Sequence, residues 1–88
     1  MPTNKSLIVK ILTPKETLFE GEAYAVSSTN SEGKFDILPE HANFITLIDK
    51  KPIEVLQMDK KKLTFNVSEA IIYCAGDKVT VYAEPHLK

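Results

Sequence analysis

IIYCAGDKVTVYA, residues 71–83, consists of two apolar-rich runs, Ile71 to Ala75 and Val79 to Ala83, joined by Gly76, Asp77 and Lys78. In the second run Val79, Val81 and Ala83 alternate with Thr80 and Tyr82, a period of two that belongs to a half-buried strand. A glycine-led turn between two such runs is the signal of a tight β-hairpin.

The same pattern continues outward. Leu63, Phe65 and Val67 alternate strictly after the polar tip Asp59, Lys60, Lys61 and Lys62, and Ile53 to Leu56 form the run on its other side. Asp49, Lys50, Lys51 and Pro52 make a turn before that run, and Phe44 to Ile48 precede the turn. Phe35 and Ile37 alternate with Lys34 and Asp36 after a turn at Asn30, Ser31, Glu32 and Gly33, and Pro39 ends them. Near the start, Leu7, Val9 and Ile11 share one face until Thr13 and Pro14 break the run. A second run then extends from Leu18 and Phe19 to Ser28. Gly21 interrupts it, and a glycine inside a strand pattern predicts a bulge or a bend between sheets.

Short strands at near-regular spacing, with no helix-length segment of 3.6-residue periodicity, predict an all-β fold, an antiparallel sandwich or barrel. A chain of 88 residues is expected to form one domain over 1–88. Its 43% hydrophobic and 26% charged residues suit a packed core rather than a disordered chain.

Composition also narrows function. A formal net charge of -1 offers no field for a polyanion, so no nucleic acid partner is expected. The opening MPTNKSLIVKIL is too short and polar for a signal peptide or membrane span, so any membrane association is expected to come through a partner. Cys74 is the sole cysteine and excludes an intrachain disulfide; its alternating context reads as a small apolar strand residue, ahead of a reactive thiol. The two histidines, His41 and His86, lie far apart, and no ligand set for a metal accompanies them. Ser31, His41 and Asp36 could be imagined as a nucleophilic triad, yet no nucleophile-elbow pattern surrounds them. Glu20 and Glu22 straddle Gly21 on one solvated face. Gly21, Gly33 and Gly76 are isolated, so there is no phosphate-binding loop. No catalytic residue, metal or cofactor is expected.

Three ordered stretches carry a family resemblance. SEGKFDILPEHANFIT, from Ser31 to Thr46, resembles the GSEGxxGILPGHAPLLT hallmark of the epsilon subunit of rotary ATP synthases, called delta in mitochondria. VKILTPKETLFEGEAYAV is similar to that family's first hairpin, with its TP turn and its F-x-G element at Phe19, Glu20 and Gly21. SEAIIYCAGDKVTVYAE resembles the family's SGGFLEVxxNxVTVLAD. Together they reach from about Leu7 to Glu84.

The resemblance implies an N-terminal β-sandwich of about ten strands in a non-catalytic subunit of the central rotor stalk, bound to gamma and resting on the polar loops of the c-ring. It implies a c-ring-facing loop at Ser31, Glu32, Gly33 and Lys34 and a gamma-facing segment at His41, Ala42, Phe44 and Thr46. His41 could equally hold its loop to its own sandwich. It further implies a peripheral position on the cytoplasmic face of an energy-transducing membrane, bacterial by expectation, and a monomer when isolated. Members typically continue into a C-terminal helical hairpin; with the sequence ending at Lys88, soon after the run Val79 to Ala83, the expectation is a short form or a fragment. Departures from the family pattern are Lys34 for an acidic residue, Asp36 and Glu40 for glycines, Asn43 for proline, and Glu69 and Ala70 for paired glycines. Lys34 predicts a partner loop of altered charge or a different contact, and Glu40 and Ala70 predict backbone torsions suited to a Cβ. The alternative is a free-standing sandwich serving as an interaction or regulatory module outside the synthase.

Overall fold

The fold is described from a computed structural model for residues 6–40 and 43–85. Eight strands follow one another: β1 (Leu7–Leu12), β2 (Thr17–Asn30), β3 (Gly33–Ile37), β4 (Phe44–Asp49), β5 (Ile53–Gln57), β6 (Lys62–Phe65), β7 (Val67–Ala75) and β8 (Lys78–Pro85). The all-β expectation holds, with eight described strands in place of about ten.

The long strand β2 organises the two layers. Its Ala23 pairs with both Leu7 of β1 and Gln57 of β5, and its Val26 with both Ile37 of β3 and Val55 of β5. A strand has only two edges, so β1 and β3 follow each other along one edge while β5 occupies the other. One layer therefore runs β4-β7-β8-β1 into the first half of β2, and the other runs from β3 through the second half of β2 to β5 and β6. All pairings are antiparallel except β1 with β8, which is parallel. These strands come from opposite ends of the chain, so no hairpin dictates their direction.

Gly21 does not make the bend. It lies in register with Val9 inside an unbroken β2, and a Cβ built there would meet only the Phe19 ring at 3.7 Å. The irregularity comes later, between Ala23 and Ala25, where the consecutive residues Ala25 and Val26 are both buried. Two neighbouring side chains on one face are what a bulge produces, and the added twist carries β2 from one layer to the other. Register also shifts at Ser68 in β7. The alternation Leu63, Phe65, Val67 belongs to two strands, since Asn66 separates β6 from β7.

Between the layers lies one apolar cluster. Leu7, Val9 and Ile11 of β1 meet Val26, Ile37, Ile53 and Val55 from the opposite layer, with Ile48, Ile72, Cys74, Val79 and Val81 among its other members, all buried. Phe19 against Phe65, with ring centroids 6.1 Å apart, and Phe35 against Phe44, at 5.4 Å, close its margins from layer to layer. The one buried polar side chain among the described residues, Ser28, donates its hydroxyl to the Pro52 carbonyl at 2.8 Å. Burial pushes the Cys74 thiol pKa up, and the nearby Asp77 charge adds to the shift; a thiol so placed is a core filler rather than a nucleophile.

The turns follow local chemistry. Thr13 Oγ1 accepts from the backbone N–H of Glu16 at 3.1 Å and of Lys15 at 3.2 Å, closing the turn after β1. Gly76 has φ +61, as the first position of a type II′ hairpin requires. Glu40 has φ 68, so the expectation of Cβ-friendly torsions fails there: the side chain is carried in the left-handed region, with the Glu40 N–H donating to Asp77 Oδ1 at 2.7 Å. Ala70, by contrast, sits in regular strand.

Lys60 also has positive φ, 74°, at the end of the β5–β6 turn, a position glycine suits. Lys60→Gly is expected to raise stability by about 0.5 kcal/mol, the left-handed penalty relieved outweighing the entropy glycine adds to the unfolded chain. Chemical denaturation of the two proteins side by side checks this.

Candidate interaction site

The Ser31–Lys34 turn is short and firmly held. Asn30 does the holding: its Oδ1 accepts from the Glu32 N–H at 2.8 Å, and its Nδ2 donates to Thr46 Oγ1 at 2.8 Å, fastening the tip to β4 in the facing layer. Gly33, at φ +119, brings the chain back into β3. Ser31, Glu32 and Lys34 are exposed, and neither charged residue makes an ion pair among the described residues. The structure thus presents a rigid polar tip with two opposite charges available to a partner.

The segment expected to face gamma is divided. His41 and Ala42 lie outside the described residues. Phe44 is half-buried with its ring against Phe35, and Thr46 is half-buried and accepts from Asn30. Both serve the seam between the layers. Beside them, Gly76 N–H donates to Asn43 Oδ1 at 3.1 Å, so the loop before β4 is tied to the β7–β8 hairpin at both Glu40 and Asn43. Of the imagined triad, His41 lies outside the described residues, and Asp36 Oδ1 accepts from Ser27 Oγ at 2.5 Å.

Sequence reasoning passed over the positions that alternate with Phe44 and Thr46 in β4. Ile45 and Leu47 point outward from β4, 65% and 69% exposed, and Ile71, Tyr73 and Tyr82 continue that face across β7 and β8. The signal was present in FITLI, which is apolar at both parities; such a strand has a second apolar face that something must cover. Beyond these side chains the face opens into a groove of about 790 Å³, walled by the Thr13–Pro14 turn. An apolar surface of this continuity on a small domain marks a contact with another protein. The outer face of the other layer is mixed, with Ser27, Lys34, Asp36, Glu54 and Lys62 set among Tyr24, Leu38 and Leu56, and with Lys62 3.6 Å from Glu54. No described helix is long and apolar enough to cross a membrane.

Comparison with known proteins agrees with the hallmark segments. The family described as ATP synthase, Delta/Epsilon chain, beta-sandwich domain matches residues 6–87. The ATP synthase epsilon chain of Sulfurimonas denitrificans is 32% identical over 78 residues, covering 89% of this chain and 60% of that protein. That of Rickettsia felis is 31% identical over 83 residues, covering 92% and 74%. The chain thus spans about 60% of the length of several curated relatives. Among solved structures, a chain of the Euglena gracilis mitochondrial ATP synthase superposes with a TM-score of 0.84 at 15% identity, covering 94% of this chain and 53% of that one, and shows the same fold. A chain of the Tetrahymena thermophila mitochondrial ATP synthase central stalk and c-ring does so with a TM-score of 0.75 at 9% identity, covering 94% and 66%. With a family match over nearly all its residues and a relative 31% identical of which it covers 74%, the chain belongs to the delta/epsilon family of ATP synthase subunits, of which it carries the β-sandwich domain.

Proposed function

We propose that this chain is a non-catalytic central-stalk subunit of a proton-translocating F-type ATP synthase, held by gamma and resting on the c-ring, on the cytoplasmic side of a bacterial membrane. The family match over residues 6–87 carries this reading. The physical form suits it: a two-layer sandwich with a pinned polar tip is stiff enough to pass torque without performing bond chemistry. The tip, through Ser31, Glu32 and Lys34, faces the c-ring loops, where opposite charges set register more than affinity. On the gamma side, the loop bearing His41 and Ala42 together with the outward residues of β4 supplies the contact, while Phe44 and Thr46 keep the strand in place.

Stripped membranes test this assignment. Membranes bearing the synthase of the source organism, depleted of this chain, are expected to regain ATP-driven proton pumping when it is added back. Rebinding with no recovery of coupling, or no rebinding at all, contradicts the proposal.

A further inference from the structure

Beyond Ser27 the strand β2 loses its neighbour on one side. Ser27 is the last residue of β2 in register with β5, opposite Glu54. From there Ser28, Thr29 and Asn30 pair only with Phe35, Lys34 and Gly33 of β3 among the described residues. β3 in turn pairs with no strand but β2 among them. The tip therefore stands at the end of a two-stranded ribbon, which has little stiffness of its own. Two side chains on one face of β2 tie it down. Ser28 donates to the Pro52 carbonyl at the start of the ribbon, at 2.8 Å, and Asn30 donates to Thr46 Oγ1 at its end, also at 2.8 Å.

Both ends of the Asn30 amide are in use. A backbone N–H can only donate, so the Glu32 N–H fixes which end of the amide is Oδ1 and leaves Nδ2 for Thr46. The anchor on the far side is well founded. Thr46 lies in register with Ile72, a fully buried residue of β7 that pairs on its other side with Val81. A load on the tip thus passes through one hydrogen bond into the paired centre of the facing layer.

We propose that Thr46, together with Asn30, is a positioning residue for the c-ring contact rather than part of the gamma contact. The pair holds the tip at one angle to the sandwich, so that Glu32 and Lys34 meet the c-ring loops already oriented. This inference rests on the stalk reading, which gives the tip its partner. What the bond supplies is preorganisation: a tip tied to both layers loses less freedom on docking than one carried by the ribbon alone. Thr46 is half-buried with its hydroxyl on the Asn30 amide, while Ile45 and Leu47 on either side of it point outward. Removal of the hydroxyl therefore leaves the outward side of β4 intact.

Two substitutions in the whole chain test the bond. Thr46→Val keeps the branched shape and removes the acceptor. Asn30→Asp keeps one oxygen for the Glu32 N–H and offers a second to the Thr46 hydroxyl, which turns from acceptor to donor. On membranes bearing the synthase of the source organism and depleted of this chain, Thr46→Val is expected to rebind about fivefold more weakly than the unmodified chain, and Asn30→Asp within about twofold of it. Calorimetric titration with gamma alone is expected to give the same affinity for all three within about twofold, because the tip has no partner there. A nitroxide on the exposed Ser31→Cys, with Cys74 buried and shielded from the label, reports the tip in the free chain. Thr46→Val is expected to sharpen its spectrum and Asn30→Asp to leave it broad. Full-strength rebinding of Thr46→Val, an unchanged nitroxide spectrum, or equal losses on gamma and on membranes overturns the proposal. Failure of the unmodified chain to rebind at all is a distinct outcome, which refutes the stalk reading and this inference with it.

Discussion

Ile72→Ala is expected to lower the stability of the domain by about 3–4 kcal/mol, whereas Ile71→Ala, one residue earlier, is expected to cost less than about 1 kcal/mol. The two isoleucines are adjacent in β7 but face opposite ways. Ile72 is fully buried, in register with Thr46 on one side and Val81 on the other, and its truncation leaves a cavity between rigid layers. Ile71 is 41% exposed on the outer face and already meets water. A domain of this size has a total stability of about 4–13 kcal/mol, so the first change approaches the threshold of unfolding and the second does not. Urea unfolding of both variants measures the contrast. Equal losses would mean that the outer face is packed as tightly as the core, against the structure.

Gly33→Val is expected to cost about 2–3 kcal/mol, and Gly21→Ala less than about 0.5 kcal/mol in either direction. Space does not decide the first. Nothing lies within 4 Å of a Cβ built on Gly33, but its φ of +119 is a region that a β-branched residue avoids. The return from the tip into β3 must distort, and with it the Glu32 N–H bond to Asn30. Amide hydrogen exchange at Glu32 is expected to accelerate with the loss of stability. Gly21 occupies ordinary strand, where a Cβ meets the Phe19 ring at normal contact distance and the lower entropy of alanine in the unfolded chain offsets any small adjustment.

These glycines also show what the sequence could disclose. Both invite a turn or bulge reading, yet only Gly33, which closes a polar turn held by the Asn30 side chain, has the torsion that requires glycine. The true bend, at Tyr24 between two alanines, has no turn residue to announce it. Its one trace is the adjacent apolar pair Ala25 and Val26 within an otherwise alternating strand. Strand positions were legible because burial in a thin sandwich follows a period of two, as the burial of Leu7, Val9 and Ile11 illustrates. The parallel pairing of β1 with β8 was not, because it depends on contacts between the ends of the chain that no local pattern encodes.

The candidate site was legible in the same partial way. Ser31, Glu32 and Lys34 follow from a polar turn and are exposed as expected. Phe44 and Thr46 were chosen from a motif, but strand parity turns them toward the seam and leaves Ile45 and Leu47 to the outside. Other neighbours appear only with register: Asp49, Glu69 and Glu84 are scattered in sequence and line up across the sheet when β4, β7 and β8 align.

The most direct test of the stalk assignment is a calorimetric titration of this chain with the gamma subunit from the same organism. The account predicts a tight one-to-one complex, weakened at least about tenfold by Leu47→Asp and left unchanged by Lys60→Gly on the remote β5–β6 turn. The absence of binding, with both proteins shown to be folded, would contradict it.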